Sequence, residues 1–184
     1  MTSLDPAGGL LEVGRVRDDG DLEQILELQR RNLPRSLDAR TAAEQGFVTV
    51  EHSLDVLRRM HELEPSIVAR SGGALAGYAL VMPVACSAFI PVLEPMFQRL
   101  EGLERRFYVM GQICVDQPWR GRGVFDALYR AHRDHLRSRY DLVVTEVSIR
   151  NTRSLRAHER VGFRELQRYR DSTDHWVIVT WDWT

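Results

Sequence analysis

The sequence predicts a single α/β domain with a mixed, mostly antiparallel sheet of six or seven strands flanked by helices. Two apolar runs at 67–70 and 74–84 are joined by Ser-Gly-Gly at 71–73, and such a link is typical of an antiparallel hairpin. Further strand-like runs at 107–115 and 142–149 enclose an amphipathic segment. A strand, a helix and a second strand in this order form a parallel unit, so we expect both kinds of pairing in one sheet.

The composition limits the classes of function. The chain has 184 residues, of which 43% are hydrophobic and 28% are charged, and its formal net charge is -1. These values suit one domain with a sizeable core. A nucleic-acid-binding domain usually carries a basic surface. The balanced charge therefore predicts no nucleic-acid partner.

The sequence carries no signal for secretion or membrane insertion. No apolar stretch is long enough to span a bilayer, and residues 1–9 lack the basic-then-apolar order of a signal peptide. Cys86 and Cys114 lie inside apolar runs, which is typical of reduced core thiols in a cytoplasmic protein. We expect a cytoplasmic protein without membrane contact, with a loose tail at 1–9 and the domain at 10–184.

The N-terminal part predicts a strand followed by a helix. Residues 11–16 alternate apolar and polar side chains, as a first strand would. Apolar residues then repeat at helical spacing from Leu22 to Leu33. Candidate caps lie at 18–21, and Pro34 is expected to stop the helix.

The connection at 32–51 is long and irregular for a compact domain. Connections of this kind often carry function. We expect either a substrate-covering loop or a packed arm with a short helix at 41–45. His52 and Ser53 are then expected to cap a helix at 54–63.

A helical insertion is predicted at 84–106, between the third and fourth strands. The helix is expected to start near Pro91 and Glu94. Its apolar residues fall on one side: Val92, Leu93, Met96, Phe97, Leu100 and Leu103. Such a face usually packs on its own core, and the alternative is that it covers a substrate site or a partner subunit.

An Arg-Gly-Arg-Gly turn at 120–123 lies between the strand that ends at Val115 and an amphipathic helix. The first N–H groups of a helix have no acceptor within it and the helix dipole adds positive charge, so this place suits a phosphate or diphosphate. Glycines let the anion approach the amides, and Arg120 and Arg122 can add charged hydrogen bonds. The motifs of a nucleoside-triphosphatase loop and of a dinucleotide fold are both missing.

The histidines on the following helix do not predict a metal site. His132 and His135 have no cysteine or histidine partner at a spacing typical of ligands. We expect packing or surface histidines and no metal. Alternating runs at 163–171 and 175–183 then predict two antiparallel strands.

A second patterned segment, TEVSIRNTRSLRAHERVGF, runs from 145 to 163. Asn151 follows the strand, and residues 154–161 are predicted as a helix. Gly162 ends that helix where a left-handed residue is favoured.

Together the two segments resemble the GNAT superfamily of acyl-CoA-dependent N-acyltransferases. The first resembles the signature Q/R-x-x-G-x-G/A, as Arg120-Gly121-Arg122-Gly123-Val124-Phe125. It departs at Phe125, where the family prefers glycine or alanine. The second resembles the pattern that closes the fold, with Glu146, Asn151, Ser154, His158 and Gly162-Phe163 at the corresponding places. It departs at His158, where most members have tyrosine.

The resemblance implies acetyl-CoA as the acyl-donor substrate. It also implies a primary amine of a small molecule or peptide as the acceptor, which attacks directly in a ternary complex. A strand N–H near Val115 would hold the thioester oxygen, and the donor's arm would pair with the strand edge exposed there. The expected donor-binding residues are Ile113, Cys114, Val115, Arg120, Gly121, Arg122, Gly123, Val124, Phe125, Asn151 and Ser154. Family habit adds the expectation of a homodimer.

Two residues are predicted to be catalytic. Amide formation needs a neutral amine, a stabilised oxyanion and a proton for the thiolate. Glu146 is the predicted base, and the alternative is an ion pair with an arginine such as Arg150. His158 is the predicted acid, since an imidazole can donate a proton near neutral pH, and the alternative is a histidine packed against the sheet. Asn151 either binds the donor or caps its helix.

Two other functions remain open from the sequence. One is a catalytically inactive acyl-CoA-binding regulatory module, because both departures fall at the expected site. The other is a structural domain that binds phosphate without CoA.

Overall fold

The computed structural model describes residues 10–37 and 47–184. The strands are β1 (Glu12–Arg15), β2 (Ile67–Ser71), β3 (Ala74–Pro83), β4 (Phe107–Val115), β5 (Leu142–Ser148), β6 (Arg164–Arg170) and β7 (His175–Asp182). They form one sheet in the order β1-β2-β3-β4-β5-β7-β6. All neighbours pair antiparallel except β4 and β5, which are parallel. The predicted mixed, mostly antiparallel sheet is confirmed.

Helices cover both faces of the sheet. Within the described residues they are α1 (Asp19–Arg31), α2 (Leu54–Leu63), α3 (Glu94–Arg99), α4 (Val124–Leu136) and α5 (Thr152–Val161). The first three bury their apolar sides in one core cluster, through residues such as Leu26, Leu57 and Met96. The last two pack on a second cluster across the sheet, through Leu128 and Leu155.

The predicted helix caps are present. Asp18 accepts from the N–H of Asp21 at 3.2 Å, and Ser53 accepts from the N–H of Val56 at 3.3 Å. Each side chain supplies an acceptor that the helix itself cannot provide for its first N–H groups. The tail predicted at 1–9 and the short helix predicted at 41–45 lie outside the described residues.

A bulge bends β4. Ala79 pairs with Ile113, whereas Val81 pairs with Met110, so β4 has one residue more than β3 over the same stretch. A bulge of this kind increases the twist of its strand and redirects it.

Beyond the bulge, β4 separates from β5. The two strands pair only at Phe107–Leu142, Tyr108–Val143 and Val109–Val144. The N–H of Asp116 donates to the carbonyl of Ala76 on the β3 side. Because backbone groups of an antiparallel strand alternate in direction, those of Ile113 and Val115 are directed into the gap between β4 and β5.

The segment at 84–106 is less helical than predicted. Two 3-10 turns, Val84–Phe89 and Pro91–Leu93, precede the six-residue α3. Leu93, Met96 and Leu100 are buried as predicted, but Val92 is 55% exposed. The prediction was wrong for Val92 because a 3-10 turn has three residues per turn, which shifts the apolar face of a regular α-helix.

Both cysteines are buried and unpaired, as predicted. No helix within the described ranges combines the length and the apolar character needed to cross a bilayer.

Candidate active site

A cavity of about 830 Å³ opens where β4 and β5 separate. It is lined by ten of the predicted donor-binding residues: Ile113, Cys114, Val115, Arg120, Gly121, Gly123, Val124, Phe125, Asn151 and Ser154. Arg122 is not among its lining residues. Asn32, Phe47 and Val48 contribute a further wall. The fold thus brings the two sequence segments to the same opening.

The glycine turn has the geometry of an anion site. Gly121 and Gly123 have φ of 74° and 79°, in the left-handed region that other residues rarely adopt. Gly123 is the N-cap residue of α4, and no side chain caps this helix start. The first N–H groups of α4 therefore face the cavity without an acceptor from their own helix.

Arg120 fastens the turn to its surroundings. Its Nε donates to the carbonyl of Val115 at 3.0 Å, and its terminal nitrogen donates to Oδ1 of Asn32 at 2.6 Å. Burial lowers the pKa of Arg120 below its usual value. These bonds join the turn, the end of β4 and the end of α1.

Three arginines of the cavity wall were missed by the sequence analysis. Arg153, Arg156 and Arg160 all line the cavity, and Arg160 also pairs with Asp126 at 2.7 Å. Their spacing of i, i+3 and i+7 on α5 places them on one helix face. This spacing is visible in the sequence and could have predicted them as a cationic face. Together with Arg120 they give the cavity a cationic wall suited to a phosphorylated ligand.

The ring of Phe125 is turned towards α5 and leaves the cavity open. It lies edge-on to Tyr129 and His158, with ring centroids 5.1 and 5.3 Å apart. Phe125 still lines the cavity and is partly buried. The departure from the expected small residue therefore adds an apolar wall beside the glycine turn.

Asn151 caps α5. Its Oδ1 accepts from the N–H of Ser154 at 3.2 Å, and its Nδ2 donates to the carbonyl of Phe47 at 3.3 Å. Asn151 also lines the cavity. A bond from Asn151 to the donor stays a prediction.

Glu146 lies on the α1 face of β5, partly buried. The hydroxyl of Tyr169 donates to its Oε2. The ion pair with Arg150 that was the alternative is not formed, because Arg150 pairs with Asp174 at 2.7 Å. Burial raises the pKa of Glu146 to about 7, and the hydrogen bond from Tyr169 only partly offsets this. A carboxyl with such a pKa has a large share of the ionised form near neutral pH, as a general base needs.

His158 lies on the other face, only 2% exposed. Its Nδ1 is 2.8 Å from the carbonyl oxygen of Ser154, and its Nε2 is 2.7 Å from the hydroxyl of Tyr129. A carbonyl can only accept, so Nδ1 carries the proton and Nε2 accepts from Tyr129. Burial lowers the pKa of His158 to about 4. Neither His158 nor Glu146 is among the described residues that line the cavity.

No metal centre appears within residues 10–37 and 47–184, where no three His, Cys, Asp or Glu side chains are grouped as ligands. His132 is fully buried, with Nδ1 at 2.7 Å from the hydroxyl of Tyr108 and Nε2 at 3.3 Å from the carbonyl of Ala79. His132 is therefore a packing histidine, which is one of the two predicted alternatives.

Comparison with known proteins gives a family. The model of the Acetyltransferase (GNAT) family matches residues 22–163. No curated protein matches the chain.

Solved structures share the fold at low identity. The ribosomal-protein-S18-alanine N-acetyltransferase from Escherichia coli is 15% identical with a TM-score of 0.63, over 94% of this chain and 93% of its own. The ribosomal-protein-alanine N-acetyltransferase from Brucella melitensis is 16% identical with a TM-score of 0.65, over 94% and 99%. A chain of the NatC complex bound to Gag peptide and CoA is 16% identical with a TM-score of 0.66, over 95% and 99%.

Proposed function

Since its family model covers residues 22–163, the chain belongs to the GNAT acetyltransferase family, and we propose that it transfers an acetyl group from acetyl-CoA to a primary amine of a small molecule or peptide. The observation that carries this proposal is the helix start at Gly123, which no side chain caps and which borders a cavity of about 830 Å³. The cavity continues to the strand gap where an acyl group has to be presented.

The residues present fit the donor. A Cβ added at Gly121 or Gly123 would meet nothing within 4 Å, so the space in front of these backbone groups is open. The diphosphate would accept from the first N–H groups of α4, with the arginines of the wall balancing its charge. The carbonyl of Val115 already accepts from Arg120, which leaves the N–H of Val115 and the backbone of Ile113 to bond the donor's arm or the thioester oxygen.

The reaction we propose is direct attack by the acceptor amine. The amine nitrogen forms a bond to the thioester carbon, the carbon–sulfur bond breaks, and Glu146 accepts the proton that the nitrogen loses. An alkylamine has a pKa of about 10, so near neutral pH a base is needed to provide its neutral form.

The source of the thiolate's proton stays a prediction. His158 is the residue that the sequence predicts, and in the structure both of its ring nitrogens bond to protein groups. A thiol has a pKa of about 8.5, so its thiolate can also leave and take a proton from solvent near neutral pH. The homodimer and the cytoplasmic location also stay predictions.

Two measurements test the proposed function. Thiol release is followed after mixing acetyl-CoA with a panel of small primary amines and peptides, and we expect release that depends on an amine. Binding of CoA is followed by thermal shift, where about 100 times the dissociation constant should add about 2.7 kcal/mol of stability. A shift without turnover on any amine would favour an inactive acyl-CoA-binding module, and no shift would contradict the donor site itself.

A further inference from the structure

Two parts of the molecule are not used by the proposed reaction, the segment at 84–106 and strand β6. They meet at Arg99, whose guanidinium carbon lies 4.0 Å from the ring centre of Tyr169. Gln167 donates to the carbonyl of Arg99 at 3.2 Å, and Arg99 itself donates to the carbonyl of Pro95 at 2.6 Å. The end of α3 is therefore fastened to β6 beside Tyr169.

Tyr169 reaches from β6 across β7 to the predicted base. Gln167 of β6 and Glu146 of β5 both pair with Ile178 of β7, which lies between them. Glu146 is therefore two strands away from β6, level with Gln167 and diagonal to Tyr169. The hydroxyl of Tyr169 donates to Oε2 of Glu146. A phenol has one proton to donate, so this contact engages one carboxylate oxygen and leaves Oε1 for another partner.

We propose that Tyr169 is a positioning residue for proton transfer to Glu146, and that Arg99 of the 84–106 segment holds its ring in place. This rests on the proposed function, in which Glu146 accepts the proton of the amine. During that step the amine's N–H bond breaks and an O–H bond forms at Oε1. Tyr169 keeps its own proton, since burial raises the pKa of its hydroxyl far above neutral.

The charges around Glu146 give the expected direction of change. Burial raises the pKa of Glu146 and Asp171 adds to this, whereas the hydrogen bond from Tyr169 and the charge of Arg99 lower it. A hydrogen bond to the ionised form favours that form. Loss of the hydroxyl, or of the cation above the ring, should therefore raise the pKa further.

The first experiment is the pH profile of kcat/KM for an alkylamine. In Tyr169→Phe we expect the acidic limb to move up by about one pH unit, so that activity is about tenfold lower below the limb and close to wild type well above it. Arg99→Met keeps the phenol and should move the limb in the same direction by less. Tyr140→Phe is the matched control, because Tyr140 packs on Tyr108 across the sheet, and it should leave the limb in place.

The second experiment needs no turnover. A carboxyl-selective NMR titration of the protein without acceptor, with the Glu146 signal assigned by its loss in Glu146→Gln, should show a higher midpoint in Tyr169→Phe and in Arg99→Met. An unchanged midpoint in both variants overturns the positioning role, whatever the activity. An intact positioning contact together with no thiol release on any amine would instead contradict the proposed function, so the two failures are distinguishable.

Discussion

Glu146 and His158 lie on opposite faces of the sheet, and the sequence predicts proton transfer for both. Glu146 is partly buried beside Tyr169, and His158 is enclosed by the aromatic side chains between α4 and α5. Burial raises the pKa of Glu146 to about 7 and lowers that of His158 to about 4. Loss of water disfavours the charged form of either group. The same cause therefore brings the carboxyl close to neutral pH and takes the imidazole away from it.

The two groups also differ in their hydrogen bonds. Tyr169 donates to one oxygen of Glu146 and leaves the other for a substrate. Tyr129 donates to Nε2 of His158, while Nδ1 donates to Ser154, so both ring nitrogens are engaged. Glu146 therefore keeps one carboxylate oxygen that can bond a substrate, whereas both ring nitrogens of His158 are already bonded within the protein.

Gly123→Val should have the greatest effect of all, because it blocks binding of the acyl donor. Gly123→Val should weaken CoA binding by at least about 100-fold with the fold retained, because φ at this position is 79° and a side chain would enter the cavity proposed for the donor. Calorimetric titration with CoA measures this. Gly102→Val is the matched control, since Gly102 has a φ of 82° and open space in front of it. Unchanged affinity in Gly123→Val would remove the turn from the site.

The next effect concerns the base. Glu146→Gln should lower kcat/KM for an alkylamine at neutral pH by about 100-fold while CoA affinity stays the same. The loss should be smaller for a peptide α-amine, whose pKa of about 8 leaves more of it neutral. Steady-state kinetics with both acceptors check this, with Glu159→Gln on the exposed side of α5 as the charge-matched control. Equal activity of the two variants would contradict the role of Glu146.

His158→Phe tests the buried group on the other face of the sheet. We expect a loss of about 2 kcal/mol of unfolding free energy, because the buried hydroxyl of Tyr129 loses its acceptor. The kcat of the folded protein should fall by less than about tenfold. Denaturant unfolding and steady-state kinetics measure the two effects.

A double variant separates packing from proton transfer. His158→Phe with Tyr129→Phe removes donor and acceptor together and should recover part of the lost stability. A large loss of kcat at unchanged stability in His158→Phe would instead support His158 as the acid.

The sequence predicted the parts of the fold that depend on local signals. The hairpin at 67–84 and the caps Asp18 and Ser53 were found because glycines, hydroxyls and carboxylates act on backbone groups within a few residues. The glycine turn at 120–123 was found in the same way, since a strand, glycines and a helix start follow each other in the chain.

The features that the sequence did not predict depend on residues far apart in the chain. The bulge in β4 depends on the register of β4 with β3. Arg150 pairs with Asp174, which is 24 positions away in the chain. The contact between Tyr169 and Glu146 spans β7. No local pattern carries such information. Ten of the predicted donor-binding residues line one cavity, whereas the hydrogen-bond partners and protonation of Glu146 and His158 had to come from the structure.

The weakest effect should be on how the free energy of unfolding changes with pH. It tests whether the pKa of Glu146 is raised while that of His158 is lowered. The pKa of Glu146 is about 7 in the folded protein, above its usual 4.5, so its contribution to stability is full below 4.5 and is lost as the pH rises through 7. His158 has a folded pKa of about 4, below its usual 6.5, so its contribution is full above 6.5 and is lost as the pH falls towards 4. Glu146→Gln should therefore be more stable than wild type by about 1 kcal/mol above pH 7, with the difference shrinking towards pH 5. Thermal unfolding of both proteins across this range measures it, and a difference that does not change with pH would mean that burial does not raise the pKa of Glu146.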